Sequence, residues 1–220
     1  TDAQAAALPL TAITAYEMLF NRLQIPKSKQ HPHQSILVIG AAGGVGSILV
    51  QLVKQLTGLT VVGTASRDES VAWLKELGVD HVLDHSKSLN EQRIEKGLAE
   101  FDYVISLTHT EQYQDEIVAC ITPQGKFALI DDPASFDILK FKQKCISIHW
   151  EFMFTRSLFT TLDMIEQHNL LNEISELVDA GTLKTTLGQH LGPITVDNLL
   201  KAHRILESHT ARGKLVLEGF

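Results

Sequence analysis

A chain of 220 residues with 44% apolar and 20% charged side chains can bury one sizeable core, which excludes a disordered or collagen-like polymer. Its formal charge of −7, from 26 acids and 19 bases without a long basic run, argues against a nucleic-acid partner. No apolar stretch approaches the roughly 18 residues of a membrane-spanning helix, and Cys120 and Cys145 are too few for a disulfide scaffold.

Thr1 to Leu10 lacks the basic region and apolar core of a signal peptide. With two reduced thiols, that predicts a cytoplasmic protein. The start at Thr1 instead of Met fits a processed product or a piece of a longer protein. Thr1 to Leu23 reads as helical with a break at Pro9. A polar linker, Pro26 to Gln34, carries Lys27, Lys29, His31, Pro32 and His33. Strand and helix then alternate. Ser35–Gly40 reads as a buried strand, and Val45–Leu56 as a helix closed by Thr57 and Gly58. Thr60–Thr64 is a strand, Asp68–Leu77 a helix, His81–Asp84 a strand and Ser88–Ala99 a helix. Tyr103–Leu107 is a strand, Glu111–Ile121 a helix, Pro123–Gly125 a turn and Lys126–Asp131 a strand. This alternation predicts an α/β fold, a Rossmann-type doubly wound parallel sheet. Beyond it, Ile138–Phe154 is rich in β-formers and Ser157–Ala180 reads as one long helix. Thr186–Leu191 is a strand, Val196–Ser208 a helix and Lys214–Leu217 a strand. The chain divides into a leading helix and linker (1–34), a dinucleotide-binding core (35–156) and a C-terminal helix and return segment (157–220).

The most informative segment is Gly40-Ala41-Ala42-Gly43-Gly44-Val45-Gly46, between the first strand and the first helix of the alternation. Such a turn needs a residue free of side chain where backbone approaches a pyrophosphate, here Gly43, and another where helix packs on strand, here Gly46. The helix N-terminus supplies free amides and a positive dipole end. No Gly-Lys-Ser/Thr follows, so the turn is not a P-loop. The second strand ends Thr64-Ala65-Ser66-Arg67, with Asp68 and Glu69 only afterwards. A basic residue there accommodates a 2′-phosphate, whereas a carboxylate would hold a 2′-hydroxyl. The cofactor predicted is NADP(H), with Ser66 and Arg67 on its 2′-phosphate.

With these blocks in view, the sequence resembles the medium-chain dehydrogenase/reductase superfamily, in its quinone-oxidoreductase-like and zinc-type alcohol dehydrogenase-like branch. The resemblance is carried by Ala7-Leu8-Pro9-Leu10-Thr11, Thr14-Ala15-Tyr16-Glu17, the glycine turn, Leu74 to Val82 and Gly213 to Leu217, in that order. It implies the cofactor-binding part of an oxidoreductase, without the GroES-like catalytic domain toward which 157–220 would return. It implies cofactor contacts from Thr14 near the nicotinamide and from Ala42, Gly43, Gly44 and Val45 at the pyrophosphate. Ser66, Arg67 and His85 would take the 2′-phosphate, with His85 standing where many relatives have Tyr. Leu107 and Thr108 would flank a ribose or the adenosine, Ile130 the nicotinamide, and Lys214 the pyrophosphate or nicotinamide end. It also implies a homodimer through the 144–154 strand.

No catalytic residue is identified. The ten histidines are scattered and form no ligand set with Cys or Glu, so no metal is expected. No Gly-x-Ser-x-Gly or Tyr-x-x-x-Lys occurs. A methyltransferase would lack the third glycine that Gly46 supplies. The function expected is NADP(H)-dependent hydride transfer to or from a small carbonyl, quinone, activated alkene or alcohol. The alternative is a non-catalytic nucleotide-binding or interaction protein.

Overall fold

The computed structural model describes every residue except Pro32, so that part of the predicted linker lies outside the described residues. The chain opens with α1 (Asp2–Ala6), capped by Thr1, whose hydroxyl accepts from Gln4 N. Next comes α2 (Pro9–Tyr16), with Pro9 in the first turn, where its missing N–H costs nothing. The predicted break at Pro9 is therefore a helix start. The helix widens into a π-helical turn over Glu17–Arg22.

Six strands form one sheet: β1 (Ser35–Ile39), β2 (Thr60–Thr64), β3 (His81–Leu83), β4 (Phe101–Ser106), β5 (Ile121–Leu129) and β6 (Ser147–Trp150). All pair in parallel, in the order β3-β2-β1-β4-β5-β6, which is the doubly wound topology. Register follows side-chain alternation. Ile36 and Val38 of β1 turn to one face with Val61, Tyr103 and Ile105, while Leu37 and Ile39 turn to the other with Val62, Val104 and Phe127. The first face is covered by α2, α3 (Gly44–Leu56), α4 (Asp68–Glu76) and α8 (Glu166–Asp179), through residues such as Leu49, Leu74 and Ile174. The second is covered by α5 (Leu89–Glu95), α6 (Thr110–Cys120) and a 3-10 turn at Ile138–Phe141. A parallel pair, β7 (Leu187–His190) and β8 (Lys214–Val216), flanks α9 (Val196–Glu207). No helix among the described residues is long and apolar enough to cross a membrane.

Three local expectations change. The turn predicted at Pro123–Gly125 is a bulge inside β5: pairing moves from Phe101–Ile121 to Tyr103–Lys126, with Gln124 at φ +65°. The strand predicted over the 144–154 region is only β6, at the sheet edge, preceded by Cys145 at φ +51°. The long helix predicted over Ser157–Ala180 is two, α7 (Thr155–Leu158) and α8, separated by a turn with Thr160 at φ +49°.

An ion cluster, mostly buried, spans that last break. Arg156 donates to Glu17 at 2.6 Å and to Asp163 at 2.9 Å, tying the 159–165 turn to the π-helical turn. Arg22 bonds Glu151 at 2.7 Å. Three carboxylates thus face two guanidiniums. Glu17 Oε2 and Glu151 Oε1 are buried without a hydrogen-bond partner. Burial, with the Glu17 charge adding to it against Arg22, pushes Glu151 up to about 7. Because this folded value lies above the ordinary one, the folded chain holds the extra proton between about pH 4.5 and 7. The contribution is complete below that window and lost as pH rises through it. Glu151→Gln should therefore be more stable than wild type at pH 8, by on the order of 2 kcal/mol, and level with it near pH 5. Paired urea melts across that range measure the difference.

Candidate functional site

The carboxyl ends of the central strands open onto a cleft of about 740 Å³. It lies where the connections from β1 and β4 diverge to opposite faces of the sheet, the switch point at which such folds bind ligands. Its floor is the β1–α3 turn. Gly40, at φ +80°, reverses the chain and its amide donates to Thr64 Oγ1 at 3.1 Å. Gly43 begins α3 in extended backbone. The first-turn amides that follow have no acceptor within the helix and point into the cleft mouth. Gly46 brings α3 onto the strand end: a Cβ there would sit 2.3 Å from Ala41 O. The turn therefore offers bare backbone where an anion fits, and the two glycines do separate jobs.

Of the residues predicted for the cofactor, Ala42, Gly43, Gly44, Val45, Ser66, Arg67, His85, Leu107, Thr108, Ile130 and Lys214 all line this one cleft. Thr14 does not. It is buried in α2, its hydroxyl donating to Leu10 O at 3.0 Å, and Leu10 and Thr11, one turn nearer the start of the helix, form the rim instead.

Polar contacts organise the β2 end. Ser66 Oγ lies 3.1 Å from His85 Nε2, and Arg67 Nη2 donates to Thr210 O at 2.8 Å. Asp68 and Glu69 begin α4 and turn away. No aspartate or glutamate lines the cleft among the described residues, although the chain carries 26 acids. Arg67, Lys214 and three histidines do line it. The potential inside the cleft therefore favours anions, and no carboxylate stands ready for a ribose 2′-hydroxyl.

Of the far wall, which is the segment Ser208–Leu215, sequence reasoning named only Lys214 and missed the rest. Gly213 N donates to Ala42 O at 2.9 Å and pairs with Gly43 as an isolated parallel bridge. The Lys214 side chain passes over Gly44, where a Cβ would approach its Cδ to 2.7 Å. Arg212 stacks on Trp73, 5.1 Å from the ring centre. His109 was missed too. It lies in the left-handed region at φ +51°, immediately before α6, and its ring meets His209 edge-on at 5.0 Å.

These residues suit a dinucleotide: a cradle that a Cβ would fill, a positive end for phosphate, and apolar Leu10, Leu107 and Ile130 for a flat ring. They do not suit zinc. Among the described residues no group of three or more His, Cys, Asp or Glu could hold a metal. Cys120 is buried, which pushes its thiol up to about 12, far from a thiolate ligand.

Comparison with known proteins gives the site a family context. The zinc-binding dehydrogenase family profile matches residues 77–217. A zinc-type alcohol dehydrogenase-like protein of Staphylococcus epidermidis is 39% identical across 97% of the chain and 64% of its own length. Its Staphylococcus aureus (strain MSSA476) counterpart is 37% identical over the same shares. A crystal structure from Rhizobium etli CFN 42, provisionally assigned as a zinc-dependent alcohol dehydrogenase, superimposes with a TM-score of 0.92 at 54% identity. It covers 99% of this chain and 64% of that one. The chain thus spans about 64% of the length of the curated relatives it matches.

Proposed function

The chain belongs to the zinc-binding dehydrogenase family of the medium-chain dehydrogenase/reductase superfamily, and from that premise we propose that it is the coenzyme-holding part of an NADP(H)-dependent oxidoreductase. The observation that carries the reading is the acid-free cleft, with Ser66 and Arg67 at the end of β2 and the glycine turn at its floor. The bound coenzyme would supply or accept the hydride. The chain's own residues bind and orient it. The α3 amides hold the pyrophosphate, and Arg67 and Ser66 hold the 2′-phosphate. Lys214 adds positive charge at the turn, and Leu10, Leu107 and Ile130 exclude water from the ring. Small carbonyls, quinones, activated alkenes and alcohols are the substrate class, and residues 157–220 return toward a GroES-like domain in the complete enzyme. The protein is cytoplasmic and its partner is a small molecule, without nucleic acid.

Coenzyme fluorescence and turnover test the reading together. NADPH emission should rise on binding, and the enzyme carrying its catalytic domain should oxidise NADPH with a member of a quinone and aldehyde panel. Tight binding without turnover across that panel would favour a non-catalytic nucleotide-binding protein.

We also propose a homodimer through the 144–154 region. Among the described residues β6 pairs only with β5, and Trp150, Phe152 and Phe154 are each about half exposed beside its open edge. Sedimentation equilibrium should give twice the chain mass, and Ile148→Pro, which puts a proline into this edge, should shift the protein toward monomer. A monomer at all concentrations would rule the dimer out.

A further inference from the structure

We infer that His85, on a wall of the cleft it shares with His109, His209, Ser66 and Arg67, is the proton acceptor beside the 2′-phosphate. Binding of the phosphorylated dinucleotide then draws a proton from solvent, and its advantage over the unphosphorylated one grows as pH falls. This deepens the NADP(H) reading and rests on it.

Three separate chain segments bring the histidines into one wall. His85 follows β3 and touches Ser66 of the β2 end at 3.1 Å. His109 precedes α6, its Nδ1 2.6 Å from Thr108 Oγ1. His209 follows α9, one residue before Thr210, whose carbonyl receives Arg67. All three line the cleft with Arg67. His109 and His209 both occupy left-handed backbone, at φ +51° and +54°. Side chains other than glycine seldom take that conformation, and strain of this kind is retained where geometry over-determines it. Here it sets two imidazoles face to edge across the cleft.

The charges around His85 give the direction. Burial holds it below the ordinary imidazole value, and Arg67 and His109 push the same way, while Asp84 opposes them. Asp84 is already engaged by Ser86 N at 2.9 Å and Ser86 Oγ at 2.7 Å, with Lys87 at 3.8 Å. From α6 the facing group is Tyr113, whose hydroxyl meets the His85 carbonyl at 3.4 Å. In the free protein at neutral pH His85 is therefore uncharged. A phosphate dianion beside it offsets Arg67 and His109, compensates the burial of charge and favours the imidazolium, which then donates to phosphate oxygen. The phosphate cannot be the source of such uptake. Its second pKa is about 6, so a phosphate bound as dianion releases protons.

Calorimetric titration of the chain with NADPH and with NADH at pH 7.5, in HEPES and in Tris, separates the possibilities. The expected result is uptake of roughly half to one proton with NADPH, almost none with NADH, and loss of most of the uptake in His85→Gln. The NADPH:NADH affinity ratio should rise about three- to tenfold from pH 8.5 to 6.5 in wild type and stay nearly flat in His85→Gln. A thermal melt and a far-UV spectrum of that variant matching wild type show that the fold is intact. Tight, selective NADPH binding with no proton uptake, or with release, would overturn the inference and leave the NADP(H) reading standing. Equal affinity for the two coenzymes would overturn both.

Discussion

Gly46→Ala is expected to cost the chain about 2–4 kcal/mol of stability, lowering Tm by about 5–12 °C, and to abolish NADPH binding. The added methyl would lie 2.3 Å from Ala41 O, 2.5 Å from its carbonyl carbon and 2.6 Å from its Cα. These are backbone atoms of Ala41, which is fully buried, so nothing flexible can swing aside. Either α3 lifts from the sheet or the β1–α3 turn deforms, and each destroys the amide cradle. Gly43→Ala is the informative partner. Gly43 sits at φ −73°, where alanine is at ease, and its new methyl meets only Gly40 O, at 3.4 Å. That variant should melt within a few degrees of wild type yet bind NADPH at least tenfold more weakly, because its methyl stands where the pyrophosphate approaches. Thermal melts and fluorescence titrations of the pair check both halves, and wild-type NADPH affinity in Gly43→Ala would contradict the placement.

Arg67→Ala should weaken NADPH binding by about 10- to 100-fold, corresponding to the roughly 1.5–3 kcal/mol of a hydrogen bond to a charged group, and leave NADH within about twofold. The guanidinium is a permanent positive charge at the β2 end, and among the described residues no carboxylate lines the cleft to hold a 2′-hydroxyl in its place. Its bond to Thr210 O also positions the Ser208–Gly213 wall. Some loss of NADH affinity would come from that source, and Arg67→Lys distinguishes the two contributions. Lysine keeps the charge and so most of the phosphate preference, but not the planar geometry that reaches both partners. Parallel titrations with both coenzymes read the ratio, and an equal loss for NADPH and NADH in Arg67→Ala would remove Arg67 from the phosphate site.

Whatever depends on neighbours in sequence was legible before the fold was known. The β1–α3 turn announces itself because glycine at 40, 43, 44 and 46 answers a local backbone need between an apolar run and a helical period. The β2 end was legible for the same reason: a strand terminus and the residue after it fix where Ser66 and Arg67 emerge. The doubly wound parallel sheet followed from strict alternation. The missed features are long-range. Gly213 meets Gly43 across 170 positions of chain, and the polar run before β8 carries no periodicity that marks it as a wall of the cleft. The break between α7 and α8 is spanned by Arg156 reaching Glu17, whose burial has no signature in a window of sequence. Thr14 was placed by resemblance. The fold turns that helix so that Thr11 meets the cleft, with its Cγ2 3.4 Å from the Cβ position of Gly44. His109 could have been suspected, since histidine is among the residues enriched in left-handed backbone, but nothing in the sequence pairs it with His209.

The central claim is that this cleft holds a phosphorylated dinucleotide along the β1–α3 turn. A crystal structure of the chain grown with NADPH tests it most directly. The account predicts pyrophosphate oxygens on the first-turn amides of α3, a 2′-phosphate within hydrogen-bond reach of Ser66, Arg67 and His85, and the nicotinamide toward Leu10 and Ile130. Coenzyme bound in the reverse direction, or density elsewhere with the turn closed by Lys214, would contradict it.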